Sequence, residues 1–173
     1  REIQDKLIVP KNRLIELTKG SLTLGGLTVE PFSVSHDAAD PIGINVFTGN
    51  DKATVVTDTG VISDDILRRL DDTTLLVLEA NYDPHMLRFG PYQPFLKQRV
   101  ASDEGHLSNE MAAQALLMMK RPNFMQVILA HRSENNNNAV LVTQTIGKML
   151  VDGGVRIGPE MKLQHGQPNE IVS

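Results

Sequence analysis

Apolar positions fall into short blocks broken by polar turns, and the blocks carry two periods. Blocks 21–24 and 27–36 read as strands joined by Gly25-Gly26, a two-residue hairpin signal. Alternation across 27–36 is imperfect, and Pro31 argues for an edge or a bulge there. Blocks 42–47 and 53–57 form a second pair around Thr48-Gly49-Asn50-Asp51. Ser63-Asp64-Asp65 predicts a helix start running to Leu70, with Ser63 as N-cap and acids in the first turn. Two largely apolar strands follow at 74–78 and 125–130, with helices predicted at 91–101 and 108–119 between them. A further helix follows Asn135–Asn138 and runs to about Val151, and the tail from Val155 reads as short strands and turns. Residues 1–20 are polar, predicted as a turn or two of helix and a connector closing at Lys19-Gly20. Strands alternating with helices in this rhythm predict an α/β layered domain.

Composition narrows the chemistry. The 173 residues are 40% hydrophobic and 22% charged, a globular balance that suits one domain or a large part of a bigger one. With five Phe, two Tyr and no Trp, aliphatic residues and Met must fill the core; Met118-Met119 is assigned to it. The absence of cysteine excludes disulfides and thiolate-held metal, and fits a cytoplasmic location. No apolar run approaches a membrane span of about 18–20 residues, and residues 1–6 have neither the basic start nor the apolar core of a signal peptide. A net charge of −4 argues against general electrostatic attraction to nucleic acid.

Three of the strand blocks end on chemistry. The β-forming run before Thr59-Gly60 ends on Asp58, the next strand on Glu79 and the third on His131. Ligands in α/β proteins collect at such strand ends, although an Asp before a turn also caps helices. With His36, Asp37, Asp40 and His106 they form a pool of nitrogen and oxygen donors suited to Zn²⁺ or Mn²⁺. Asp37 and Asp40 read as turn groups beside the site rather than ligands. His85 and His165 read as surface residues, and Lys97, Arg99, Lys120, Arg121 and Arg132 as scattered solvated charges, with a nucleic-acid-facing patch as the alternative. Asn135–Asn138 reads as a helix cap, with Asn135 or Asn136 within reach of a phosphate.

The wording of five blocks carries a resemblance. They are Ser35-His36-Asp37-Ala38-Ala39-Asp40-Pro41, Thr57-Asp58-Thr59-Gly60, Glu79-Ala80-Asn81, Gly105-His106-Leu107-Ser108-Asn109 and Ala130-His131-Arg132-Ser133-Glu134-Asn135. In this order they resemble the metallo-β-lactamase-fold hydrolases, and within them the YycJ (WalJ) type, relatives of ribonuclease Z described as 5′-to-3′ DNA exonucleases. The resemblance covers most of residues 27–140. It implies an αββα sandwich of which residues 1–173 form one domain, the C-terminal portion, with about 1–20 as connector from an N-terminal portion.

The resemblance also implies roles. His36 would bind one metal ion, His131 a second, and Asp58 would bridge them. His106 would contact the scissile phosphate or protonate the leaving oxygen, with Glu79 orienting it. The implied reaction is phosphodiester hydrolysis by water activated at two divalent ions, Zn or Mn, on DNA rather than RNA. The partners expected are nucleic acid and the N-terminal portion of the same fold, with room for a homo-oligomer and none for a membrane. The signature His-x-His-x-Asp-His, which supplies four further ligands, does not occur in these residues and is expected upstream. Tyr82 departs from the His common in relatives. Two alternatives stay open: another hydrolase of this fold acting on RNA, a thioester or a lactone, and a non-catalytic binding fragment.

Overall fold

The computed structural model describes residue 15 and residues 20–166, so the helical turns and connector expected over 1–20 and the end of the tail lie outside the described residues. Seven strands form one sheet in sequence order: β1 (Leu22–Leu24), β2 (Leu27–Ser33), β3 (Ile42–Thr48), β4 (Asp51–Val56), β5 (Leu75–Glu79), β6 (Met125–Ala130) and β7 (Met161–His165). β1 to β4 are antiparallel neighbours, and β4 to β7 are parallel. The switch follows from the connections. Tight two-residue turns join β1 to β2 and β3 to β4, whereas parallel neighbours need crossovers, supplied here by helices.

Both glycines of the first hairpin sit at positive φ, 55° and 85°, where a side chain would be strained. The edge expected from Pro31 is present. β1 ends opposite Val29, so Pro31 has a partner only on β3, Ile44.

α1 (Asp64–Leu70) connects β4 to β5, and Ser63 caps it by accepting a hydrogen bond from the Ile66 N–H at 3.3 Å. α4 (Asn109–Met118) and α5 (Ala139–Asp152) begin the same way at Ser108 and Asn138. Between β5 and α4, the helix expected at 91–101 is present as the shorter α3 (Pro94–Val100), and a further short helix, α2 (Pro84–Phe89), precedes it. Asp83 accepts from the Met86 N–H and Pro84 fills the first turn of α2. Pro91 and Pro94 bracket the break, and Pro94 restarts the chain as α3.

One face of the sheet is dry. Val56, Leu76, Leu78, Val127, Leu129 and Met161 interlock with Ile66 and Leu70 of α1, Ala112 and Leu116 of α4, and Val142, Ile146 and Leu150 of α5. Met119 joins this core, but Met118 is 67% exposed, so only half of the expected Met pair packs inside. On the opposite face Ile42, Val55 and Leu75 are exposed, and no helix of the core cluster covers them.

Candidate metal centre

β2 runs parallel to β4 through its antiparallel neighbour β3, so the C-terminal ends of β2, β4, β5 and β6 share one edge of the sheet. His36, Asp58, Glu79 and His131 arrive there from those four strands. His106 arrives from the loop between α3 and α4, where its backbone N–H donates to the Val100 carbonyl at 2.9 Å. All five residues that the sequence nominates as metal or catalytic groups are therefore brought together.

Glu79 lies at the centre. Its carboxylate is fully buried, which is tolerable only with strong partners. Oε1 accepts from Nδ1 of both His106 and His131 at 2.7 Å. Oε2 accepts from the backbone N–H of Thr59 at 3.1 Å and of Leu107 at 3.4 Å. Burial pushes the Glu79 carboxyl up, but the hydrogen bonds from His106 and His131 outweigh it and hold the group below its ordinary range. The same hydrogen bond lifts His131 above the usual imidazole value, against its partial burial.

These bonds fix tautomers. A ring that donates from Nδ1 presents Nε2 with its lone pair free, the arrangement that metal-binding histidines use. His36 reaches the same state by another route, with Nδ1 donating to the Gly105 carbonyl at 3.0 Å. Three imidazoles thus have Nδ1 occupied. Nε2 of His131 lies 3.6 Å from Asp58 Oδ1, and Nε2 of His36 lies 3.9 Å from the same oxygen. The rings of His36 and His131 each stand 5.1 Å, centre to centre, from the ring of His106.

Backbone shape marks the same residues. Asp58 and His131 adopt left-handed conformations, φ 56° and 53°, that cost non-glycine residues free energy and recur at functional sites. Two glycines permit the close packing beneath them. A Cβ on Gly60 would stand 2.2 Å from the Ser102 carbonyl oxygen, and one on Gly105 the same distance from that of Arg99. Asn81 Nδ2 donates to the His131 carbonyl at 2.8 Å, holding that turn. Buried Asn137 donates to the carbonyls of Ala80 and Asn81 and exchanges hydrogen bonds with Asn109. These ties run between segments far apart in the chain, so no local pattern announces them. Gly105 in the block shared with His106 is the nearest thing to a signal.

The remaining nominated residues separate. Asp37 is held by a two-pronged ion pair with Arg99, whose hydrogen bond keeps its carboxyl below the usual range. Its Oδ1 also lies 3.6 Å from His36 Nε2. Asp40 is exposed in the bend before β3, outside the cleft. Asn138 is the helix cap expected from the Asn run, Asn136 is buried, and Asn135 lines the cleft. Tyr82 is buried in a small cluster with Leu87 and Val100. His165 is half-buried in β7 rather than on the surface, with Nε2 2.8 Å from Thr143 Oγ1. Of the cations read as solvated, Lys97 reaches the Arg88 carbonyl, Lys120 pairs with Asp72, and Arg121 reaches the Leu116 and Leu117 carbonyls. Arg99 and Arg132 line the cleft over the site, which encloses about 450 Å³.

Comparison with known proteins matches the chain to a family. Residues 2–131 fit the family described as "Beta-lactamase superfamily domain". The chain is 35% identical over 146 residues to "Exodeoxyribonuclease YycJ" of Bacillus anthracis, covering 84% of this chain and 55% of that protein. It is 33% identical over 147 residues to "Exodeoxyribonuclease WalJ" of Streptococcus pneumoniae serotype 2 strain D39, covering 85% and 55%. The chain thus spans about half the length of the curated relatives it matches. Among solved structures, the metallo-beta-lactamase fold protein YhfI from Bacillus subtilis aligns at a TM-score of 0.60 and 13% identity, over 86% of this chain and 50% of that one. The short form of human tRNase Z aligns at 0.50 and 19%, over 67% and 40%. The chain belongs to the beta-lactamase superfamily, and its α/β sheet is of the metallo-β-lactamase fold.

Proposed function

We propose that the full-length protein is a metal-dependent phosphodiester hydrolase acting on DNA, a 5′-to-3′ exonuclease, with His36, Asp58 and His131 as metal ligands. The observation that carries this reading is the set of three imidazoles, each with Nδ1 occupied and two of them with Nε2 aimed at one oxygen of Asp58. The names of the relatives, both exodeoxyribonucleases, support the substrate class. The donors are all nitrogen and oxygen, which suits Zn²⁺ or Mn²⁺.

When bound, such ions act as Lewis acids toward a phosphoryl oxygen and lower the pKa of water. The chain's own residues do the rest. Asp58, half-exposed, supplies the negative charge that two cations would share. His36 and His131 present preset lone pairs, so little reorganisation accompanies binding. Glu79 holds the His106 ring through Nδ1, which turns Nε2 toward the cleft, where it can contact the scissile phosphate or pass a proton to the leaving oxygen. The buried carboxylate thus serves two rings at once, aligning His131 as ligand and His106 as acid.

The residues 1–173 act in this reading as one domain, the C-terminal portion of a larger sandwich whose remainder packs on the uncovered face of the sheet. A second reading makes His106 a ligand, because one donor atom from each of Asp58, His106 and His131 lie within 4.8 Å of one another. The test of function is degradation of end-labelled DNA by the full-length protein with Mn²⁺. Asp58→Ala should abolish it, and a 5′ label should be released first. Retained activity in that variant would refute the bridging role, and activity confined to RNA, a thioester or a lactone would refute the substrate.

A further inference from the structure

We propose that the α2–α3 excursion is a binding platform for single-stranded nucleic acid, leading the strand into the cleft; this rests on the phosphodiester reading of the site. Residues 84–100 hold Arg88, Lys97 and Arg99 and no acidic residue, in a chain whose net charge is −4. The same stretch holds Phe89, Tyr92 and Phe95, in a chain with only five Phe and two Tyr.

Packing does not account for these rings. The excursion's own small cluster uses Tyr82, Leu87 and Val100, with Tyr92 and Leu96 packed partly against it. Phe89 and Phe95 stay 67% and 71% exposed. The Arg88 guanidinium lies over the Phe89 ring, 5.3 Å from its centre, leaving a cation beside an open aromatic surface.

The platform is continuous with the site. Tyr92, Leu96 and Arg99 line the same cleft as His36, Asp58 and His131. Phe95 lies one helical turn before Arg99 on α3, on the same face. Arg99 is neutralised by Asp37, so attraction falls to Arg88 and Lys97 on the excursion and to Arg132 in the cleft wall. Exposed rings interleaved with a few cations bind unpaired bases by stacking, without regard to sequence. A duplex keeps its base faces covered and calls for a denser row of cations than residues 84–100 offer.

The test uses the full-length protein and its Phe89→Ala/Phe95→Ala variant, with anisotropy of a labelled oligothymidylate read in chelator, so that binding is separated from cleavage. The variant should bind roughly tenfold or more weakly, raise KM for single-stranded DNA, and leave hydrolysis of bis(p-nitrophenyl) phosphate unchanged. Phe89→Tyr/Phe95→Tyr should restore binding, because tyrosine keeps the ring face. Unaltered affinity in the alanine variant, or an equal loss for blunt duplex, overturns the platform. Failure of the parent protein to hydrolyse either ester refutes the phosphodiester reading instead, while the binding comparison still decides the platform.

Discussion

The two faces of the sheet are built from the same strands yet live in different surroundings. On one face Leu76, Leu78, Val127 and Leu129 are almost wholly buried under α1, α4 and α5. On the other, Val55 and Leu75 are 39% and 37% exposed, although neighbours in register such as Val77 and Ile128 are also apolar. Parallel strands that are apolar on both sides belong to sheets covered on both sides. The difference teaches that the sequence is written for two covered faces while the described residues cover one.

The largest effect should come from the covered face. Leu78→Ala removes a fully buried side chain, and the isolated chain should lose about 2–5 kcal/mol in denaturant unfolding. Val55→Ala on the open face should cost less than about 1 kcal/mol in the same chain. Equal losses would mean that the faces are equivalent and the comparison is empty. The contrast sharpens in the full-length protein. There Val55→Asp should destabilise far more than in residues 1–173 alone, by roughly 1–3 kcal/mol, since it would bury an unpaired polar group. A similar small effect in both would argue that nothing packs on this face.

Smaller effects should lie at the edge where the site sits. Gly105→Ala forces a Cβ against the Arg99 carbonyl, and the loop must shift, taking with it the carbonyl that fixes His36. A loss of about 1–3 kcal/mol is expected, with weaker metal binding by the full-length protein on isothermal titration. Unchanged affinity would show that the Gly105 carbonyl does not set the His36 ring. At the bottom of the scale, Lys120→Ala breaks an exposed pair with Asp72 and should move the unfolding midpoint hardly at all.

How far the sequence could be read follows from the range of each interaction. β3, β4, β5 and β6 were legible because each is a short apolar or β-branched run closed by a turn, and Ser63 and Asn138 announce their helices locally. α2 was legible in principle from Asp83-Pro84 but carries too few apolar repeats to stand out from α3. Within the site, residue types at strand ends pointed to Asp58, Glu79 and His131. The sharing of Glu79 between two rings could not be seen, because His106 precedes α4 and His131 follows β6, and the two meet only in the fold. The Asp37–Arg99 pair and the Gly105–His36 bond span more than sixty residues and exist only in the fold. The left-handed backbone at Asp58 is a posture that Asp tolerates better than most residues, a hint too weak to read alone.

The account turns on Asp58 as the shared ligand and His106 as a group that works beside the metal without holding it. The most direct measurement is metal content by mass spectrometry of the full-length protein, compared with Asp58→Ala and His106→Ala. Asp58→Ala should lose bound metal, and His106→Ala should keep the parent stoichiometry while cleaving DNA slowly. Loss of metal from His106→Ala, or full retention in Asp58→Ala, would contradict it.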